Sequence, residues 1–405
     1  MKRVLFLDYF FPPLASDWRG AAFAKLLPQF GWQPIVISAH ESARYQKDYD
    51  LLKEIPKDLE VHRVPHQEPN MILQRFRYKL KIAADFPDYY RTWYFPAYDE
   101  ARKILQKEEV DLIYSASPTF TTALVAMRLK SEFNIPWVAD FNDGWAVNDF
   151  LNLELDRTLI RPLRWLQQRR IRKAEAAILQ SADKIVIVHW HVKERWCRLH
   201  AINGAKICVI TEGYDESVFR GLKPRSLYPE RLTIVFLGNF YPAYREIFMK
   251  FAHAVTEIDK NAELVFIGRA GAAVQEMNLP NSTCILPLPR QKAIEFALGS
   301  HFLLLVMPPY AKWIPAKTFD YLRIGKPILA IVPGDGDPAR IVRESGGGFL
   351  LPFDKQQMKE ELKTIFDKWR SGNLERFQPN RDYVIRYERR KITQEMVHVF
   401  DEASS

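Results

Sequence analysis

Two stretches carry side chains whose types and spacing could do chemistry. The first is Asp140-Phe141-Asn142-Asp143-Gly144-Trp145, directly after the apolar run Trp137-Val138-Ala139. Carboxylates at the end of a buried strand can accept a proton, bind a hydroxyl, or cap the helix that follows. Gly144 and Trp145 suit close approach and stacking on a sugar ring. The second is Pro308-Pro309-Tyr310-Ala311-Lys312-Trp313-Ile314-Pro315-Ala316-Lys317-Thr318-Phe319-Asp320-Tyr321-Leu322. It reads as a turn, then a helix starting near Pro315. Lys317 and Asp320 then share one face, three residues apart. A cation suits a phosphate and a carboxylate suits ribose hydroxyls; the alternative is an ordinary surface ion pair.

Three further loops are weaker candidates. Phe236-Leu237-Gly238-Asn239-Phe240, with Arg245 beyond it, combines a strand end, a glycine and a cation, as a diphosphate requires. Phe10–Gly20 runs from the first strand into the helical stretch Ala21–Phe30, so Trp18, Arg19 and Gly20 lie beside free backbone N–H groups. It holds a single glycine, not GxGxxG, which removes the best support for a dinucleotide; a plain strand-to-helix connection is the other reading. Ser115-Ala116-Ser117-Pro118-Thr119 could cradle an anion at Ser117 or cap the helix after it.

What must position these loops is a repeated pattern of apolar runs, each followed by helical spacing. The first half offers Val4–Leu7, Gln33–Ser38, Leu59–Arg63, Leu112–Ser115, Trp137–Asp140 and Lys184–Val188. The second offers Lys206–Ile210, Thr233–Leu237, Glu263–Ile267, Thr283–Leu286, Phe302–Val306 and Pro327–Val332. Continuous apolar runs between helices predict parallel sheets covered on both faces. The 405 residues suffice for two domains of roughly 150–200 residues. We expect an α/β fold with an N-terminal domain over 1–200, a second over 201–375, and a helix within 376–405 crossing back to the first. Doubly wound sheets bind ligands at the carboxyl ends of their strands, where all five loops fall. The three cysteines are far apart, without CxxC or a His/Cys cluster, which argues against a disulfide framework or zinc site. No run approaches the roughly 20 apolar residues of a membrane helix, and Met1–Pro13 reads as a buried strand rather than a leader. The net charge of +9 favours anionic partners.

Taken in order, YFFPPL…RGAAFAKLLPQFGW, DLIYSASPTFTTAL, IPWVADFNDGW, SADKIVIV, KICVITEGYDESVF, IVFLGNFY and PAKTFDYLRIGKPILAIVPGDG…IVRESGGGFLL resemble the GT-B glycosyltransferases of family 4, in particular bacterial members acting in surface polysaccharide assembly. The resemblance implies two Rossmann-like domains facing each other across a cleft. It implies transfer from a nucleotide-sugar, a UDP- or GDP-sugar, to a saccharide or lipid-linked saccharide, with retention, no cofactor and no metal. The second domain would bind the donor through Gly238, Asn239, Arg245, Lys312, Pro315, Lys317, Asp320 and Tyr321, with Asp320 on the ribose. Asp143 is then the first choice for the acceptor hydroxyl, with Asn142 and Asp140 behind it. Trp18, Arg19, Gly20, Ser117 and Trp145 would line the acceptor side.

Three positions depart from the family pattern. Asp320 is one methylene shorter than the usual glutamate. Asn239 stands where one of two diphosphate-binding cations is usual. Lys312 replaces the first acid of a glutamate pair, which keeps alive the alternative of a non-catalytic member that binds saccharide or a partner.

Arg161–Lys173 contains six basic residues and no acid. Leu159, Leu163 and Leu166 share a face, with Ile171 toward its edge, that reads as core packing, while Trp165 falls among Arg161, Arg164 and Arg172. That outer face suits either an anionic membrane or a tryptophan merely stacked under arginine. Arg75–Lys81 alternates basic and aromatic residues in the same half. A cytoplasmic protein, peripheral at the inner face of the cell membrane, is the coherent expectation. No nucleic-acid module is recognisable, so no nucleic-acid partner is expected.

Overall fold

The apolar runs become strands because Val, Ile, Leu and Phe fit a pleated surface buried on both faces. In the first sheet these are β1 (Lys2–Leu7), β2 (Trp32–Ala39), β3 (Glu60–Val64), β4 (Leu112–Ala116), β5 (Trp137–Phe141), β6 (Lys184–Ile187) and β7 (Ile207–Val209). Their order is β3-β2-β1-β4-β5-β6-β7. The second sheet holds β8 (Thr233–Leu237), β9 (Glu263–Ile267), β10 (Ser282–Ile285), β11 (Phe302–Val306), β12 (Ile328–Ile331) and β13 (Gly348–Leu350), ordered β10-β9-β8-β11-β12-β13. All neighbouring strands are parallel. The two sheets thus repeat one wiring, reversing direction between β1 and β4 and again between β8 and β11. This computed structural model describes residues 1–14, 18–41, 47–67, 86–147, 161–269, 274–372 and 377–405, without the side chains of Trp18, Asp50 and 161–164. The basic stretch Arg75–Lys81 and Leu159 lie outside the described residues.

The helices used below are α1 (Trp18–Leu26), α2 (Phe120–Phe133), α3 (Arg161–Ser181), α4 (Trp190–His200), α5 (Arg245–Ile258), α6 (Arg290–Leu298), α7 (Lys317–Ile324) and α8 (Arg389–Ala403). The chain divides into one unit of Met1–Thr211 with Ile392–Ser405 and a second of Glu212–Lys391. The expected boundary after residue 200 falls short of this division. Lys206–Ile210, read as the first strand of the second half, supplies β7, whose Ile207 and Val209 pair with Ile185 and Ile187 of β6. β13 escaped the sequence reading because its three residues emerge from Gly346-Gly347 and contain no β-branched side chain.

The helix expected within 376–405 is two pieces, Arg381–Ile385 and α8. Between them the backbone pairs sideways: Tyr214 N–H donates to the Tyr387 carbonyl at 3.0 Å, and Arg389 N–H donates to the Tyr214 carbonyl at 3.0 Å. Those bonds replace the helical ones that break there. Ile392, Met396, Val399 and Phe400 of α8 then join Val4, Phe6, Trp32 and Tyr114 in the first unit's core. The Phe400 ring lies 5.3 Å from Trp32 and 5.5 Å from Tyr114, which ties the chain terminus to β1, β2 and β4.

α3 departs from expectation at Leu166, which is 51% exposed beside Trp165 at 60%. The leucine stripe was expected to pack inward. Ile171, which lies toward the edge of that face, is buried as expected, as are Ile178 and Leu179.

Candidate functional site

In the second unit, β8 ends at Leu237 and passes into Gly238, on one side of the reversal in strand order. Gly238 has φ +128° and Gly268, after β9, has φ +114°, conformations open to glycine. A Cβ on Gly268 would stand 2.7 Å from the Gly238 carbonyl oxygen, so the two turns pack backbone to backbone. A Cβ on Gly238 would stand 3.3 Å from Lys317 Nζ.

Lys317 opens α7 and donates to the Leu237 carbonyl at 2.9 Å. Its Nζ lies 3.6 Å from the centre of the Phe236 ring. No carboxylate pairs with it among the described residues, and burial lowers its pKa to about 7. One turn along α7, the Tyr321 hydroxyl accepts from Leu237 N–H at 2.9 Å. Tyr321 is fully buried, and burial pushes its phenol well up. It therefore holds the end of β8 rather than offering itself to a ligand. Thr318, between these two in sequence, has a buried hydroxyl with no partner among the described residues.

Asp320 is partly buried and engaged by Arg290, the first residue of α6. Arg290 Nη2 donates to the two carboxylate oxygens at 2.8 and 3.0 Å. Arg389 stands in the same electrostatic neighbourhood. Desolvation lowers its pKa, Arg290 adds to that, and Glu212, Asp215 and Asp320 oppose it. Lys312 is turned elsewhere: its ammonium pairs with Asp335, and its carbonyl accepts from Asp337 N–H at 3.1 Å. The Pro315 carbonyl accepts from Thr318 N–H at 2.9 Å, closing the turn that starts α7. Asn239 and Arg245 are exposed, with Arg245 the first residue of α5. The structure therefore gathers Gly238, Lys317 and Tyr321 around Leu237, puts Asp320 with Arg290, and ties Lys312 to Asp335.

In the first unit, the two acids after β5 separate sharply in role. Asp140 is 2% exposed and faces Arg19. Arg19 Nε donates to Asp140 at 2.8 Å and Nη2 at 3.3 Å, while the carbonyls of Thr211 and Ile210 accept from Arg19 at 2.8 and 2.9 Å. The Tyr114 hydroxyl adds a 2.5 Å bond to Asp140. Both charged groups are thus engaged within the protein. Arg19 and Asp140, expected to meet acceptor and reacting hydroxyl, instead bind α1 to β5 and to the chain after β7. Trp145 is also placed differently from the expected sugar platform. It is 4% exposed and stacks on Phe120 at 4.5 Å and Phe86 at 5.4 Å.

Asp143 stands clear of this packing, with 59% of its side chain exposed and a carboxylate oxygen 3.8 Å from His189 Nε2. Desolvation raises its pKa, and His191 works against that shift. His189 follows β6 and is buried; desolvation first, then His191 and Arg19, lowers its pKa to about 3. The ring is therefore neutral across the physiological range. The Asp143 loop is clamped from behind, where buried Glu175 of α3 accepts from Trp145 N–H at 2.6 Å and Ala146 N–H at 3.0 Å and meets His200 Nε2 at 2.7 Å. Ser117 is buried, its hydroxyl has no partner among the described residues, and its N–H donates to the Asp140 carbonyl at 3.0 Å. Gly20 is buried in α1 and Asn142 half-buried; the side chain of Trp18 is not described.

The sequence reading missed His189 and Arg290. His189 directly follows the apolar run Lys184–Val188, so the same carboxyl-end rule that selected Asp143 points to it. Arg290 follows the short strand β10 through Pro287-Leu288-Pro289, and nothing in its local sequence marks it.

Residues 21–218 match the model of Glycosyltransferase Family 4. No curated protein matches the sequence. Among solved structures, sucrose-phosphate synthase from Thermosynechococcus elongatus superposes with a TM-score of 0.68 at 13% identity, covering 99% of each chain. Anabaena HepE in complex with UDP-glucose gives 0.64 at 13% identity, over 99% of this chain and 100% of that one. A glycosyltransferase from Rickettsia africae gives 0.61 at 14% identity, over 99% and 98%. These likenesses show the fold, which is GT-B. The family match over residues 21–218, just under half of the chain, supports a glycosyltransferase.

Proposed function

We propose that the protein transfers a sugar from a UDP- or GDP-sugar to a saccharide or lipid-linked saccharide during assembly of a cell-surface polysaccharide, retaining the donor configuration and using no metal. Lys317 carries the donor half of this reading: a cation with no counter-ion among the described residues, held against the Gly238 turn at the carboxyl end of β8. A diphosphate supplies the missing negative charge, and the backbone at Gly238 lets it approach. Arg245, exposed at the start of α5, adds a second cation, and Asp320 accepts the ribose hydroxyls. Uridine is favoured as the base because the similar Anabaena protein was solved in complex with UDP-glucose.

The acceptor half rests on Asp143, the exposed acid at the end of β5. In the transfer, the bond from the sugar's anomeric carbon to the diphosphate breaks, with the electron pair leaving on the diphosphate. The acceptor oxygen bonds to that carbon, and its proton passes to Asp143. A membrane-borne acceptor is supported by α3, where exposed Trp165 and Leu166 lie beside exposed Arg169, Arg170, Arg172 and Lys173. Each such cation contributes about 1 kcal/mol at an anionic surface. These features support action at the cytoplasmic membrane face.

One experiment tests these points together. The protein is incubated in EDTA with common UDP- and GDP-sugars and lipid-linked saccharides in neutral or anionic vesicles. Products are read by mass spectrometry and NMR. The expected result is transfer from one donor with retained configuration, faster on anionic vesicles. Transfer only with added metal, or with inversion, overturns those features. Conversion of the nucleotide-sugar to an epimer without transfer overturns the reaction.

A further inference from the structure

Asp320 has a shorter reach than a glutamate, and a carboxylate that must meet two neighbouring hydroxyls depends on its plane being held. Arg290 supplies such a hold. Its Nη2 donates to both oxygens, at 2.8 and 3.0 Å. An ionised carboxylate offers about four acceptor positions. This contact uses one on each oxygen and leaves one on each, the pattern that a vicinal diol requires. The side chains retain 16% exposure at Asp320 and 32% at Arg290, so the pair is reachable from solvent. Arg290 and Asp320 begin on different helices, α6 and α7, and α7 also carries Lys317. The carboxylate is therefore fixed relative to the cation assigned to the diphosphate. Arg389 adds a second positive group acting with Arg290 around Asp320, and it lies 3.9 Å from Asp215.

From this geometry we infer that Arg290 is a positioning residue for nucleotide recognition, holding Asp320 so that its two free acceptor positions take the ribose 2′- and 3′-hydroxyls. The inference rests on the donor site proposed above. It makes Arg290 the residue through which the enzyme distinguishes ribonucleotides from deoxyribonucleotides. A surface ion pair with no ligand role would contribute little and would carry no such selectivity.

Calorimetric titration of the full chain with UDP and with 2′-deoxy-UDP tests it, using wild type, Arg290→Ala, Arg290→Gln and Asp320→Asn. Wild type is expected to prefer UDP by 10-fold or more. In Arg290→Ala the preference should fall to within about threefold, chiefly through weaker UDP binding, while inorganic pyrophosphate still competes as it does in wild type. Asp320→Asn should lose the preference as well. Arg290→Gln, shorter and uncharged, serves if the alanine variant fails to fold; it should show the same loss. A preference unchanged in either folded Arg290 variant overturns the inference and leaves the donor site standing. Wild type that binds neither nucleotide overturns the donor site and the inference together. A pyrophosphate affinity that falls as far as the UDP affinity reassigns Arg290 to the diphosphate and also overturns it.

Discussion

Lys317 Nζ and the Leu237 carbonyl lie 2.9 Å apart, joining the first residue of α7 to the last residue of β8. The ammonium is thereby held beside the Gly238 turn, where a carbonyl dipole and the Phe236 ring stabilise its charge. Such a group is stabilised by an arriving anion, and its titration reports that arrival.

Burial lowers the Lys317 pKa from 10.5 to about 7 in the folded protein. The unfolded chain therefore binds more protons than the folded one between pH 7 and 10.5. Lys317 makes stability rise with pH across that window, and the ligand-free protein is penalised below it. Nucleotide binding has the opposite sign, since a diphosphate favours the protonated lysine. Between pH 7.5 and 9.5 the affinity for UDP should fall by up to about tenfold per unit in wild type. In Lys317→Arg, which stays charged, the affinity should be flat. Calorimetry across this range checks both slopes.

Gly238→Ala places a methyl group 3.3 Å from Lys317 Nζ at φ +128°. The strain costs about 1–3 kcal/mol. The melting temperature should fall by several degrees and UDP affinity by at least tenfold. Unaltered affinity in a folded Gly238→Ala protein would remove this turn from the site.

The Arg19–Asp140 pair is structural, and its removal should show in stability first. Arg19→Met leaves Asp140 buried with only Tyr114 as partner. Breaking one side of a buried pair costs about 3–5 kcal/mol. Denaturant melts should show that loss in Arg19→Met and a similar one in Asp140→Ala, with the double variant losing clearly less than the sum.

Asp143→Asn is the complementary case. The side chain is largely exposed, so the melting curve should stay within about 0.5 kcal/mol of wild type. Turnover should fall by about 10²–10⁴-fold, the usual worth of a positioned proton acceptor. Nucleotide binding in the second unit should be unaffected. Full turnover in this variant would return the acceptor role to another group.

The strands were legible in the sequence because parallel sheets buried on both faces select unbroken runs of Val, Ile, Leu and Phe. The carboxyl-end rule also found the loops around Gly238, Asp143 and Lys317. Partnerships across long separations were not legible. Arg19 and Asp140 are 121 residues apart, and either, read alone, looks like a functional charge. Trp145 resembled a sugar platform until Phe120 and Phe86 were found against it. Local spacing also could not show that Lys206–Ile210 completes the first sheet, because strand pairing, rather than composition, decides which sheet a short apolar run joins.

The most direct test of the central claim is calorimetric titration of UDP into wild type and Lys317→Met at pH 7.5 in EDTA. Saturable binding by wild type, weakened about 10–150-fold in a variant with an unchanged circular-dichroism spectrum, is the predicted result, the loss expected for one charged hydrogen bond. Equal affinity in the two proteins, or no binding by wild type at millimolar UDP, would contradict the account.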